Sequence, residues 1–128
     1  MKKTPDYTTI YQDDQIVILN KRSGLLIAAD RYDLEAPRLD LEAEKEFGKL
    51  YAVHRIDKDT SGLIMVAKTN AAHAILGEYF KNKDVKREYV ALIHGVFPHE
   101  TATIDAPIGR DPKDRKKMTV TADNSKDA

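Results

Sequence analysis

HRIDKDTSGL, residues 54–63, runs directly into IMVA, residues 64–67. Charged and hydroxyl side chains are thus followed without a break by aliphatic residues of the kind found in a buried strand. Loops next to such strands carry reactive groups on a rigid support. The junction therefore predicts a functional loop at the edge of a sheet, with Asp57 and Asp59 as its carboxylates.

The residues before this junction predict short strands and one helix. Strands are predicted over residues 7–11, 15–20 and 25–29, where β-prone residues are separated by turn signals. Residues 39–47 carry apolar side chains at four-residue spacing with glutamates between them. This spacing predicts a short helix that ends at Gly48.

The residues after the junction predict a buried strand over 62–68 and then the clearest helix in the chain. Thr69 or Asn70 would cap this helix. Its apolar side chains would form one stripe, which consists of Ala72, Ile75, Leu76, Tyr79 and Phe80.

Three more strands are predicted, over residues 86–96, 101–106 and 117–122. Apolar side chains on both faces of 86–96 predict a strand that is covered on both sides. A Pro-Ile-Gly-Arg-Asp-Pro loop at 107–112 would join the last two strands. We therefore expect one domain over residues 1–128, of the α+β class, with a mixed, largely antiparallel sheet and flanking helices.

Composition limits the classes of protein that need to be considered. The 128 residues suit one domain with one core, and 41% apolar with 33% charged residues is neither a disordered nor a membrane composition. No aliphatic run is long enough to span a bilayer. The lack of cysteine excludes disulfides and thiolate metal sites, and it fits the reducing cytoplasm. We expect a cytoplasmic protein without a membrane partner.

The formal net charge is zero, which argues against a protein that binds nucleic acid by bulk charge. The charge is nevertheless uneven, because residues 110–117 carry five basic and two acidic side chains. Such a patch can contact phosphates, and it fits a solvated loop equally well.

Two metal or phosphate chemistries compete for the carboxylates of the junction. Asp57, Asp59 and Ser61, followed by Gly62, match the first six positions of an EF-hand calcium loop. That loop needs a bidentate glutamate at its twelfth position, where this sequence has Lys68, and a helix on each side. A phosphoaspartyl site is the second interpretation, but no glycine-rich nucleotide-binding loop is present to hold a phosphate.

The third interpretation is a carboxylate that acts as nucleophile or base on a sugar or a ring. A nearby cation keeps such a carboxylate ionised at neutral pH. Arg55 lies two residues before Asp57 and would share its face of an extended segment. Residues 59–61 are explained more simply as a hydrogen-bonded turn. Asp57 is therefore the chemical candidate, and His54 would supply packing or a hydrogen bond.

Taken whole, residues 54–63 together with Ala-Lys-Thr at 67–69 closely resemble the catalytic motif of RluA-type pseudouridine synthases. Residues 17–25, VILNKRSGL, resemble the first motif of that family. A proline normally follows the lysine of this motif, whereas this sequence has Arg22.

Two later segments resemble the same family in the same order. Residues 87–95, REYVALIHG, resemble its basic-x-Tyr-x-Ala-Leu-x-x-Gly motif, with Arg87 where lysine is usual. Residues 107–112, with Arg-Lys-Lys-Met at 115–118, resemble the loop and strand that follow. The resemblance extends from about residue 16 to the end of the chain.

The resemblance implies an RNA pseudouridine synthase that isomerises uridine in ribosomal or transfer RNA, without a metal or organic cofactor. Asp57 would be the catalytic aspartate, which breaks the N-glycosidic bond so that C5 can rejoin the sugar. Tyr89 would pack against the target base, and Arg55 would contact the RNA. Such an enzyme must flip its base out of the stack, and an aromatic ring can hold the flipped base.

Members of the family continue well past residue 128, and the continuation holds an Arg-Thr-His-Gln-Ile-Arg-type motif whose arginine pairs with the catalytic aspartate. The sequence thus resembles the N-terminal portion of a catalytic domain and suggests a truncated one. The alternative function is an inactive fragment that binds RNA only or self-associates. Self-association would use open sheet edges, which invite pairing with another chain.

Overall fold

The computed structural model describes residues 5–28, 35–113 and 117–121. The elements of these residues are, in chain order, β1 (Tyr7–Gln12), β2 (Ile16–Lys21), α1 (Leu39–Phe47), β3 (Tyr51–Ala52), β4 (Gly62–Ala67), α2 (Asn70–Lys81), β5 (Ile108–Arg110) and β6 (Met118–Val120). Antiparallel sheets together with two helices confirm the α+β class for the described part of the chain. The chain divides into two compact units, Met1–Glu88 and Tyr89–Ala128. One domain over 1–128 stays a prediction.

The first unit is built on a four-stranded sheet in the order β1-β2-β4-β3, in which every neighbouring pair is antiparallel. The central pair aligns Ile16 with Ala67 and Lys21 with Gly62. Alternate residues of β2 and β4 are buried, as expected for strands that cover a core with one face. The core consists of Val17, Leu19, Leu25, Ile27, Leu39, Ala43, Leu50, Ile56, Ile64 and Val66.

Both predicted helices are confirmed, and local signals explain their ends. Gly48 has φ +78° and its N–H donates to the carbonyl of Glu44 at 3.0 Å, which ends α1. The Thr69 hydroxyl accepts from the N–H of Ala72 at 3.1 Å and caps α2. Of the predicted apolar stripe, only Ala72 is buried, and Ile75 is about half exposed.

The segment predicted as a strand over 25–29 is not one within the described residues 25–28. Leu26 forms a single parallel bridge to Arg38, while Leu25 and Ile27 are buried in the core. Their apolar side chains are therefore explained by core packing, without ladder hydrogen bonds. Residue 29 lies outside the described residues.

The second unit contains one hairpin, in which β5 pairs with β6 and Ile108 aligns with Val120. β6 confirms the predicted strand over residues 118–120. β5 lies within the segment 107–112 that was predicted as a loop, so that prediction is wrong for residues 108–110. A two-stranded ribbon satisfies its backbone locally, which explains how so short a segment can pair.

The strands predicted over 86–96 and 101–106 are wrong. These residues form no strand, and Val90, Leu92 and Val96 are 104%, 103% and 96% exposed. A strand needs a neighbour to take its N–H and C=O groups. In the described part of the chain no strand is aligned with these segments, so their apolar alternation does not become a sheet.

Candidate active-site loop

The central loop, residues 53–61, connects β3 to β4 at the edge predicted from the sequence. Ile56 is buried in the core, while Arg55 and Asp57 on either side of it are exposed. This alternation places the two predicted site residues on the solvent side of the loop, as expected for an extended segment. The N–H of Thr60 donates to the carbonyl of Asp57 at 3.1 Å, so a hydrogen-bonded turn begins at Asp57.

The flanking elements bear on the calcium interpretation of Asp57 and Asp59. The central loop lies between two strands, whereas an EF-hand loop lies between two helices. Within residues 5–28, 35–113 and 117–121, no group of three or more His, Asp or Glu side chains is suited to hold a metal ion.

None of the helices described is both long enough and apolar enough to cross a membrane.

Lys21 is the residue that connects β2 to the central loop by a hydrogen bond. It ends β2 and is 1% exposed, the one buried charged side chain among the described residues. Its Nζ donates to the carbonyls of Arg22, Leu25 and Lys58 at 2.9, 2.7 and 2.9 Å. An ammonium has three N–H groups, and these bonds use all of them. Lys58 directly follows Asp57, so the contact fixes the backbone one residue after the candidate carboxylate.

Burial lowers the pKa of Lys21, and the neighbouring charge of Arg22 lowers it further. The carboxylates of Asp59 and Asp57 act in the opposite direction and raise it. Lys21 is therefore a cation within electrostatic range of Asp57. Within this sequence, Arg55 is the cation predicted to lie near Asp57, and Lys21 is a further one. The signal that identifies Lys21 is its alternation with Val17 and Leu19 on the buried face of β2.

Residues 21–25, here the supporting turn, make two further hydrogen bonds to the central loop. The N–H of Gly24 donates to the carbonyl of Lys58 at 2.8 Å, and the Ser23 hydroxyl donates to the carbonyl of Asp59 at 2.7 Å. Gly24 has φ +84°, a conformation that other residues rarely adopt. Two successive carbonyls after Asp57 are thus held by one turn.

His54 packs and also accepts a hydrogen bond, the two roles expected for it. Its ring stacks on Phe80 with centroids 4.5 Å apart, and Nε2 accepts from the N–H of Met65 at 3.0 Å. The ring is therefore neutral, with its proton on Nδ1, which is buried and has no partner among the described residues. Burial lowers the pKa of His54, and the charge of Arg87 lowers it further.

Two residues of the 87–95 motif, Arg87 and Tyr89, come about thirty positions after the central loop. The Arg87 guanidinium donates to the backbone carbonyl of Arg55 at 3.3 Å, which brings a second cation to the N-terminal half of the central loop. Tyr89 belongs to the second unit, where it is 58% exposed.

Comparison with known proteins agrees with the resemblance carried by these motifs. The sequence pattern of the family described as RNA pseudouridylate synthase matches residues 15–128. The chain belongs to the RNA pseudouridylate synthase family. Curated relatives at 33–42% identity, among them RluA, place this family member with the RluA-type synthases.

Three relatives illustrate the match of this synthase-family chain. YlyB of Bacillus subtilis, an uncharacterized RNA pseudouridine synthase, is 42% identical, with 92% of the chain and 42% of the relative covered. Ribosomal large subunit pseudouridine synthase D of Zymomonas mobilis is 37% identical, with 89% and 38% covered. The dual-specificity RNA pseudouridine synthase RluA of Escherichia coli is 33% identical, with 97% and 57% covered. The chain thus spans about half the length of the curated relatives it matches.

Solved structures of other family members share the fold. Human RNA Pseudouridylate Synthase Domain Containing 1 superposes with a TM-score of 0.77 at 24% identity, over 99% of this synthase-family chain and 52% of the human one. Human RNA Pseudouridylate Synthase Domain Containing 4 gives a TM-score of 0.56 at 21% identity, over 93% and 50%.

Proposed function

We propose that the chain acts in the isomerisation of uridine to pseudouridine in RNA, with Asp57 as the catalytic aspartate. One observation carries this proposal: Asp57 is exposed on a loop whose following peptide is fixed by the buried ammonium of Lys21. A reactive carboxylate needs this combination of access to substrate and a rigid support. Family membership supplies the reaction class.

The reaction moves one bond of the nucleotide and leaves its composition unchanged. The N1–C1′ bond breaks, a C5–C1′ bond forms, the proton on C5 is lost and N1 gains a proton. Asp57 serves as the carboxylate that assists the breaking of the N1–C1′ bond, by attack on the sugar or on the base ring. The target base must first leave the helical stack, because its atoms are out of reach inside a duplex.

The other two predicted site residues, Arg55 and Tyr89, contact the RNA substrate in this proposal. Arg55 is exposed next to Asp57 and contacts the backbone of the substrate, as arginines at such interfaces do. Tyr89 provides an aromatic surface for the flipped base. The proposed substrate is ribosomal or transfer RNA, as the resemblance implies, and one relative is named for the large ribosomal subunit. The setting is the cytoplasm, which a chain without cysteine fits.

The test is pseudouridine formation in total RNA by the full chain and by two isosteric variants. Asp57→Asn removes the candidate carboxylate, and we expect no detectable conversion. Asp59→Asn is the matched control, because the supporting turn contacts the backbone carbonyl of Asp59 and the substitution leaves that carbonyl in place. We expect Asp59→Asn to keep most of the conversion. Equal conversion by the parent chain and Asp57→Asn would refute the assignment.

A second candidate function is RNA binding or self-association without catalysis. Self-association is favoured by the exposure of Val90, Leu92 and Val96 and by the position of β1 at an edge of the described four-stranded sheet. Exposed apolar residues and open edges are typical of association surfaces. Sedimentation over a range of concentrations tests it, and a monomer at every concentration would count against self-association. RNA binding without conversion by the parent chain would favour the binding role.

A further inference from the structure

Arg22 stands where the family motif has proline, and it links the supporting turn to the residue that precedes β1. Its backbone N–H donates to the carbonyl of Asp6 at 3.1 Å, and its Nε donates to Asp6 Oδ1 at 2.8 Å. A proline could make neither bond, because it has no N–H and no charged side chain. The two side chains are 25% and 26% exposed, so water screens this ion pair only in part.

The contact continues the pairing of β1 with β2 by one residue. The register of these strands ends with Tyr7 opposite Lys21, and Asp6 and Arg22 are the next pair in the same antiparallel ladder. Arg22 Nη1 also donates to the carbonyl of Ser23 at 3.1 Å, and the same atom lies 3.4 Å from where a Cβ on Gly24 would be. The guanidinium thus lies against the supporting turn at Ser23 and Gly24.

The supporting turn transmits this constraint to the central loop. Lys21, on one side of Arg22, donates to the carbonyl of Lys58, and Ser23 and Gly24, on its other side, donate to the carbonyls of Asp59 and Lys58. Every one of these bonds reaches a peptide that follows Asp57. Displacement of residue 22 therefore displaces the donors that fix the backbone at Asp57.

We infer that Asp6 and Arg22 form a positioning pair for Asp57, which restrains the supporting turn through hydrogen bonds as a proline ring would restrain it covalently. This inference rests on the proposed role of Asp57. It makes the orientation of the Asp57 carboxylate depend on a residue outside the family motifs, fifty-one positions earlier in the chain. Neither residue contacts the substrate, and both act through the turn.

The experiment combines kinetics with amide hydrogen exchange on the full chain. Asp6→Asn, Arg22→Gln and the double variant are compared with the parent, and Glu42→Gln, which breaks the exposed Lys45–Glu42 ion pair, is the matched control. We expect each single substitution to lower kcat roughly fivefold, the upper range for loss of a partly screened ion pair, with a smaller change in KM. The double variant should be no slower than Arg22→Gln alone, because the ion pair is already lost in that single variant.

Amide exchange separates loss of positioning from loss of the fold, and it needs no enzymatic activity. The N–H of Gly24 reports on the supporting turn and that of Thr60 on the central loop. The N–H of Lys68, which donates to the carbonyl of Gln15, reports on the far end of the sheet. We expect faster exchange at Gly24 and Thr60 in Asp6→Asn and Arg22→Gln, with Lys68 unchanged.

The outcomes distinguish this inference from the proposed function. Unchanged exchange at Gly24, additive effects of the two substitutions, or equal acceleration at Lys68 would each overturn the positioning pair. If the parent chain converts no uridine but Asp6→Asn and Arg22→Gln still exchange faster at Gly24 and Thr60, the result would support the pair and count against catalysis by Asp57. Altered kcat in Glu42→Gln of the same size would show that any lost ion pair has this effect, which also overturns the inference.

Discussion

The side chain of Lys21 continues a row of inward-facing residues, Val17 and Leu19, that are apolar and fully buried. A buried ammonium is costly unless each of its N–H groups has a partner. Here the partners are three backbone carbonyls, two in the supporting turn and one in the central loop. A methionine of similar shape would fill the same space without this requirement. The lysine therefore contributes a connection between two loops that packing alone would not provide.

This reasoning gives a prediction for Lys21→Met. The substitution keeps the volume of the side chain and leaves the carbonyls of Arg22 and Leu25 without the lysine donor, which costs about 1–3 kcal/mol of unfolding free energy. Urea unfolding measures the loss. Lys58→Met is the control, because the Lys58 side chain is exposed and only its carbonyl takes part, so its effect should stay within about 0.5 kcal/mol. Equal stability of the two variants would contradict the role of Lys21.

His54 gives a prediction about pH. Its Nε2 must be unprotonated to accept from the N–H of Met65, and burial holds its pKa below the usual 6.5. In the range between the two pKa values the unfolded chain binds more protons than the folded one. The contribution of His54 to the free energy of unfolding is therefore fully present above pH 6.5. It decreases as the pH falls toward the lowered pKa of the folded state.

His54→Gln isolates this contribution, because a glutamine oxygen can accept the same hydrogen bond without titrating. Urea unfolding between pH 8 and about pH 5 should show a shallower loss of stability for His54→Gln than for the parent chain. Identical slopes for the parent and His54→Gln would assign the pH dependence to other groups.

At the level of residues, Asp57 and Arg55 could be proposed from the sequence because the motif names them. Lys21 lies within the first family motif, but nothing in its local sequence marks it as part of the site. Its alternation with Val17 and Leu19 places it on the buried face, yet a lysine that ends a strand usually reaches solvent. The partner that makes burial tolerable, the carbonyl of Lys58, is thirty-seven residues away and cannot be read from local pattern.

At the level of elements, the sequence predicted both described helices and the strands with unbroken aliphatic runs. α2 begins where its cap indicates, and β2 and β4 follow their aliphatic runs. The prediction failed over 86–96, where apolar alternation was equally clear. A helix satisfies its backbone within itself, whereas a strand depends on a neighbour. Alternation therefore predicts which residues could form a strand, and pairing decides whether they do.

The start of α2 gives a prediction at this level. The Thr69 hydroxyl accepts from the N–H of Ala72 and also donates to the Gln15 side chain at 2.9 Å, which ties the helix to the start of β2. Thr69→Ala should lower the free energy of unfolding by about 1 kcal/mol. Thr69→Ser keeps the hydroxyl and should retain most of the stability. Thermal unfolding compares the two, and equal losses would show that the methyl group, and not the cap, matters.

At the level of the whole molecule, the core explains which part of the chain can stand alone. Every member of the main hydrophobic cluster, from Val17 to Val66, lies in the first unit. The four-stranded sheet, both described helices and the central loop lie there as well. Residues 1–88 are enough for a small independent domain. We therefore expect residues 1–88, expressed alone, to unfold cooperatively in urea with a midpoint close to that of the full chain.

The same shortened chain separates folding from function. Residues 1–88 keep Asp57, Arg55 and the supporting turn but lack Tyr89. If Tyr89 holds the flipped base, the shortened chain should remain folded and convert no uridine. Tyr89→Ala in the full chain should also abolish conversion. Tyr89→Phe keeps the stacking surface and should retain it. Conversion of uridine by residues 1–88 would remove Tyr89 from the proposed site and leave Asp57 and the turn beneath it as the essential part. Loss of the cooperative transition would instead show that residues beyond 88 are needed for the core itself to form.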